Sequence, residues 1–177
     1  MPKILLIVSG SVAACKVPQI ISLLKEDPSV ELRCILTSGG ARFITAETLA
    51  CLTGHKVYQD AFEYPEAYLH IELARWADLI VALPASASLI GRWANGQGQD
   101  LAGMLFLADG LKTPTLIIPA MNSAMWEHPA TQTNCALLSQ WGVNVMSPAD
   151  GILACGESGT GRLPEPICIA DAINNYF

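Results

Sequence analysis

The sequence is poor in charge, and the charge it has is skewed. Of 177 residues only 15% are charged, with ten Lys and Arg against sixteen Asp and Glu, for a net charge of −6. Phosphate-backbone binding needs a concentrated excess of Lys and Arg, so nucleic acid is excluded as the expected partner. No apolar run reaches the eighteen or so residues that span a bilayer, and the N-terminus lacks the basic-then-apolar layout of a signal peptide. No membrane partner is expected, and the expected location is cytoplasmic. The six cysteines, at 15, 34, 51, 135, 155 and 168, include no Cys-x-x-Cys pair and have no histidine at metal-ligand spacing. Neither a disulfide framework nor a metal site follows. Two phosphate-binding motifs are also missing. Val12 and Cys15 stand where the dinucleotide fingerprint beginning at Gly10 needs glycines, and Cys15-Lys16-Val17 replaces the Gly-Lys-Ser/Thr of a P-loop, which argues against NAD and ATP.

What the sequence has in quantity is apolar residues, at 51%. For a small chain this implies that other copies cover part of its surface, so a homo-oligomer is expected. The length fits one domain spanning 1–177.

Lys3–Ser9 (KILLIVS), Val30–Thr37, Leu79–Leu83 and Thr115–Ile118 read as strands, the first a continuous apolar run suited to burial on both faces of a parallel sheet. Helical patterns cover Val12–Lys25, Ala41–Cys51, His70–Trp76, Ala87–Asn95, Leu101–Ala108, Thr131–Trp141 and Ile167–Tyr176, with a short strand at Val143–Met146 and an irregular stretch at Thr53–Tyr68. Such alternation predicts a doubly wound parallel α/β sheet. In that architecture ligands bind beyond the carboxyl ends of the strands. Those ends are Ser9-Gly10-Ser11, Thr37-Ser38-Gly39-Gly40, Pro84-Ala85-Ser86-Ala87-Ser88 and Pro119-Ala120-Met121-Asn122, all small, polar or bent.

Gly10-Ser11-Val12 lies at a strand-to-helix turn, where backbone N–H groups favour an anion, although capping alone also accounts for those residues. Ser86, Ser88, Thr37 and Ser38 offer hydroxyls around the same crevice, or ordinary turn caps. His70 is either the imidazole candidate close to a strand tip or a structural or solvated histidine; His55 and His128 read as surface residues. Asn122 is either an amide aimed into the crevice or an Asx cap on the segment after it. Cys155 stands out among the thiols. Glycines 151, 156, 159 and 161 surround it, with Arg162 nearby, which suggests a loop that closes over a ligand and supplies a proton.

Five segments together resemble the flavin-containing cysteine decarboxylase family (HFCD flavoproteins) over nearly the whole chain. They are Gly10-Ser11-Val12-Ala13-Ala14-Cys15-Lys16, His70-Ile71-Glu72-Leu73 with Trp76-Ala77-Asp78, Pro84-Ala85-Ser86-Ala87, Pro119-Ala120-Met121-Asn122, and Leu153-Ala154-Cys155-Gly156 with Gly159-Thr160-Gly161-Arg162. The resemblance implies a Rossmann-like FMN enzyme assembled as trimers or trimer-based dodecamers, with the flavin near a subunit interface. It assigns FMN contacts to Gly10, Ser11, Val12, Thr37, Ser38, Ser86, Ala87, Ser88, Leu89 and Ala120. It places Asn122, Met125, Ala154, Gly156 and Arg162 on the substrate, with His70 as base, Asn122 binding the carboxylate and Cys155 as acid.

The implied substrate ends in a cysteine carboxylate. Oxidation of its C–S unit by FMN gives a thioaldehyde that accepts the electron pair as CO₂ leaves, and the resulting ene-thiol is reduced only if a proton is also delivered to carbon. Cys155 is placed to deliver it. That favours the branch acting on 4'-phosphopantothenoylcysteine in coenzyme A biosynthesis over the one that oxidatively decarboxylates a precursor peptide's C-terminal cysteine, and over a non-catalytic FMN-binding regulator. Ser88-Leu89 stand where the family usually has Asn-Thr, Asn95-Gly96 resembles the peptide branch, and Leu163 replaces a common methionine. The chain ends at Phe177 without the synthetase domain often fused in bacteria, so either a separate ligase or a different natural substrate is the expectation.

Overall fold

The computed structural model describes residues 1–59 and 68–177. Part of the irregular stretch expected at Thr53–Tyr68 therefore lies outside the described residues. Six strands, β1 (Lys3–Val8), β2 (Glu31–Leu36), β3 (Val57–Tyr58), β4 (Leu79–Ala85), β5 (Thr115–Pro119) and β6 (Asn144–Val145), form one sheet in the order β3-β2-β1-β4-β5-β6. Every pairing is parallel. The helices are α1 (Val17–Leu24), α2 (Ala46–Thr53), α3 (Leu69–Trp76), α4 (Ala87–Ala94), α5 (Leu101–Asp109), α6 (Ser123–Glu127), α7 (Pro129–Gln140) and α8 (Pro166–Asn174).

Strand periodicity divides the core in two. Ile4, Leu6 and Val8 pack with α1, α2 and α8 on one face, while Leu5 and Ile7 pack with α3, α4, α5 and α7 on the other. Both faces are covered, which is why β1 and β4 read as unbroken apolar runs and why the fold is doubly wound, as the sequence predicts. Because β1 pairs with β2 on one side and β4 on the other, the loops leaving β1 and β4 diverge at the centre of the sheet. This switch point opens a crevice at the carboxyl edge.

Three expectations are corrected. The single helix expected over Val12–Lys25 is a 3₁₀ turn at Val12–Lys16 followed by α1, because Pro18 fits only the first turn of a helix. The helix expected at Ala41–Cys51 starts later, at Ala46. Thr45 caps it through Oγ1 and Gly54 ends it at φ 77°, while Gly40–Arg42 make a separate 3₁₀ turn. The glycine-rich loop around Cys155 is the tip of an antiparallel hairpin, β7 (Ala149–Ile152) and β8 (Ser158–Arg162). Among the described residues no helix is long and apolar enough to cross a membrane.

Candidate active site at the carboxyl edge

The floor of the crevice is fixed by backbone. Ser9, 1% exposed, donates from Oγ to Pro84 O (2.7 Å) and accepts from Ser86 N (2.8 Å), stapling the end of β1 to the end of β4. A Cβ on Gly10 would meet Gly39 Cα at 3.1 Å, and one on Gly40 would meet Val8 O at 2.5 Å, so only glycine lets the loops after β1 and β2 approach so closely. Buried Thr37 completes this packing, donating to Val8 O (3.2 Å) and accepting from Gly40 N (3.1 Å).

Above the floor lies a cleft of about 540 Å³, a size suited to a cofactor or small ligand. Gly10, Ser11 and Val12, Ser86 and Ala87, and Ala120 line it, as do Asn122, Met125, Ala154, Cys155 and Arg162, all singled out in the sequence. Cys15, Lys16, Phe43, Met121, Ile152, Leu153, Gly161 and Leu163 also contribute to the wall and were not assigned roles. Cys15 and Lys16 sit inside a quoted motif; Phe43 carries no sequence signal, because it reaches the cleft only through the turn after β2.

Several assigned residues stand apart from this wall. Thr37 is spent beneath it, Ser38 and Ser88 are exposed, and Leu89 is buried in the core because the Ser86 cap turns positions 89, 90 and 93 of α4 inward. Gly156 is at the exposed hairpin tip, outside the wall. His70 occupies the first turn of α3, half-buried. α3 leads directly into β4, and His70 does not line the cleft.

Asn122 does both things the sequence allowed. Its Oδ1 accepts from Ala124 N (2.9 Å) and caps α6, which leaves Nδ2 to face the hairpin tip. There Nδ2 lies 3.6 Å from Cys155 Sγ. The hairpin is anchored to the segment after β5 by Met121 N donating to Gly161 O (2.9 Å), and Gly161, at φ 147°, has the Met121 carbonyl where a Cβ would be. Arg162 lines the cleft with its guanidinium paired to Glu165 (2.5 Å). Burial pushes the Cys34 thiol up to about 12 and also raises Cys135. Those two are core fillers, whereas Cys155 is exposed at the cleft.

The residues present fit a flavin mononucleotide. Val12, Phe43, Ala120, Leu153 and Leu163 give apolar walls for a ring system, while Ser11, Ser86 and Lys16 add polar residues to the lining.

Comparison with known proteins agrees with this geometry. The chain is 39% identical over 176 residues to the coenzyme A biosynthesis bifunctional protein CoaBC of Bacillus subtilis (strain 168), covering 98% of this chain and 43% of that protein. It thus spans less than half the length of the curated relatives it matches. Among solved structures, a PPC decarboxylase variant complexed with pantothenoylaminoethenethiol superposes with a TM-score of 0.87 at 30% identity, covering 99% of this chain and 97% of that one. The FMN-dependent cysteine decarboxylase SpaF gives 0.84 at 28% identity, covering 99% and 97%. The Flavoprotein family model matches residues 1–177, and the chain belongs to the Flavoprotein family.

Proposed function

We propose that the chain is an FMN-dependent decarboxylase that converts 4'-phosphopantothenoylcysteine to 4'-phosphopantetheine. The observation that carries this reading is the meeting of Asn122 Nδ2 and Cys155 Sγ, 3.6 Å apart, over the cleft. An amide donor suits a carboxylate, and a thiol beside it suits proton delivery to the carbon that carboxylate leaves or its neighbour. The relatives named for coenzyme A biosynthesis, and the neighbour complexed with pantothenoylaminoethenethiol, support the choice of substrate.

In this reading Gly10, Ser11, Val12, Ser86, Ala87 and Ala120 hold FMN, with Thr37 and Ser38 after β2 and Ser88 and Leu89 in the first turn of α4 supporting them from behind. Bound FMN supplies a two-electron sink that oxidises the cysteine C–S unit and returns the electrons within one turnover. Asn122 orients the substrate carboxylate, with Met125, Ala154, Gly156 and Arg162 around the substrate. Cys155 gives its proton to the ene-thiol left after CO₂ departs, so the product is saturated.

His70 is the base that takes the substrate's proton. A single chain keeps it outside the cleft wall, so a neighbouring copy in a cytoplasmic homo-oligomer, a trimer or trimer-based dodecamer, delivers it. Val12, Phe43, Met125 and Ile152, all 46–73% exposed around the cleft, are the kind of surface that such an interface covers.

The test is mass spectrometry of the yellow protein incubated separately with 4'-phosphopantothenoylcysteine and with a peptide ending in cysteine. Loss of CO₂ alone from the first supports the proposal. Loss of CO₂ and two hydrogens from the peptide would instead assign a peptidyl-cysteine decarboxylase, and no reaction with either would leave an FMN-binding regulator.

A further inference from the structure

Glu157 has no part in the reaction described above, yet it touches both groups that do. Its Oε2 lies 3.4 Å from Asn122 Nδ2 and 3.6 Å from Cys155 Sγ, closing a triangle whose third side is the 3.6 Å between amide and thiol. The hairpin tip creates this arrangement. Leu153 N donates to Glu157 O (2.8 Å) and Gly156 N to Leu153 O (2.9 Å), and Gly156 turns the chain at φ 87°, so residues 155 and 157 flank one small loop. On the other side, the α6 cap commits Asn122 Oδ1 to Ala124 N and presents Nδ2 to the loop.

A carboxylate only accepts, whereas the amide nitrogen and the thiol both donate here. The amide assigned to the substrate's carboxylate therefore already faces a carboxylate belonging to the chain. Two such groups cannot share Nδ2 without repulsion: a like charge about 4 Å away in water weakens binding roughly fivefold.

We propose that the Glu157 carboxylate is the resident partner of the Asn122 amide, that the substrate's carboxylate displaces it, and that this displacement releases the Cys155 thiol toward the substrate. This inference rests on reading the site as a cysteine decarboxylase. It gives the cycle a direction. Substrate binding moves Glu157 off both groups, Cys155 stays free through CO₂ release and proton delivery, and Glu157 returns when the product leaves. Glu157 acts as a positioning residue and takes no part in bond making.

The test uses inert probes in which a hydroxyl replaces the substrate thiol. The FMN-loaded protein and its Glu157→Gln variant are titrated calorimetrically with 4'-phosphopantothenoylserine and with a peptide ending in serine. Each is compared with a counterpart lacking the terminal carboxylate. Glu157→Gln is expected to bind the carboxylate probe about fivefold more tightly and to bind its counterpart within twofold of the unsubstituted protein. Equal changes for both probes, or no tightening for the carboxylate probe, would overturn the inference, because a structural role moves both alike. Binding of the peptide pair alone would overturn the choice of substrate while the Glu157 comparison is still read on that pair. Failure of both pairs to bind the unsubstituted protein would overturn the reading and the inference together.

Discussion

At the floor of the cleft, Ser9, Gly10, Gly39 and Gly40 join the ends of β1, β2 and β4 through a buried hydroxyl and glycine packing in which an added Cβ would meet backbone at 2.5–3.2 Å. At its roof, the β7–β8 hairpin holds Cys155 and Glu157 on exposed side chains, 3.4–3.6 Å from Asn122. The floor leaves no side chain free to adjust, which suits holding a rigid planar cofactor. The roof is made of contacts that ligand groups can replace at little cost, which suits chemistry that needs entry, proton delivery and release.

The substitutions with the largest expected effect sharpen this division. His70 belongs to neither region, so His70→Asn should load FMN normally while CO₂ release falls by about 10²-fold or more. Flavin absorbance and a CO₂ assay read the two separately, and loss of flavin would place His70 with the floor. Next, Gly40→Ala drives a methyl against Val8 O and Leu36 Cδ1, at 2.5 and 2.9 Å. Overpacking of this kind costs about 1–3 kcal/mol. A lowered melting temperature together with weakened FMN retention is expected, and unchanged retention would break the link between floor and cofactor.

Ser9→Ala leaves Ser86 N without its acceptor, for a smaller loss of about 1–2 kcal/mol, checked by urea denaturation. The smallest effect at neutral pH involves Cys34, beneath the floor in β2. Burial raises its folded value to about 12 from an ordinary value of 9.0. Above pH 9 the unfolded chain gives up this proton and the folded one does not, so stability present at lower pH is lost as pH rises, by about 1.4 kcal/mol per unit at most. Urea midpoints of the unsubstituted protein and Cys34→Ala at pH 8 and pH 10 should show the steeper fall in the former.

The floor was the more legible region. β1 and β4 announce themselves as unbroken apolar runs because both faces of the sheet are covered, and the small residues at their ends mark the switch point. The roof was only half legible. Its glycines flagged a site around Cys155, but Ala149–Ile152 and Ser158–Arg162 are too polar and too exposed to show strand alternation, so the hairpin read as a loop. β3, of two residues, is too short for any periodic signal. Glu157 escaped notice because an exposed glutamate in a turn is ordinary until the fold brings Asn122 to it across thirty-five residues. Leu89 is the opposite case: its position in a motif suggests a ligand contact, while helical phase sends its side chain to the core.

The most direct test of the division between holding floor and reacting roof is the product made by Cys155→Ser from 4'-phosphopantothenoylcysteine, read by mass spectrometry beside the flavin spectrum. The account predicts normal FMN content, release of CO₂, and accumulation of the ene-thiol, two hydrogens lighter than the saturated thiol. Saturated product at the unsubstituted rate would contradict it.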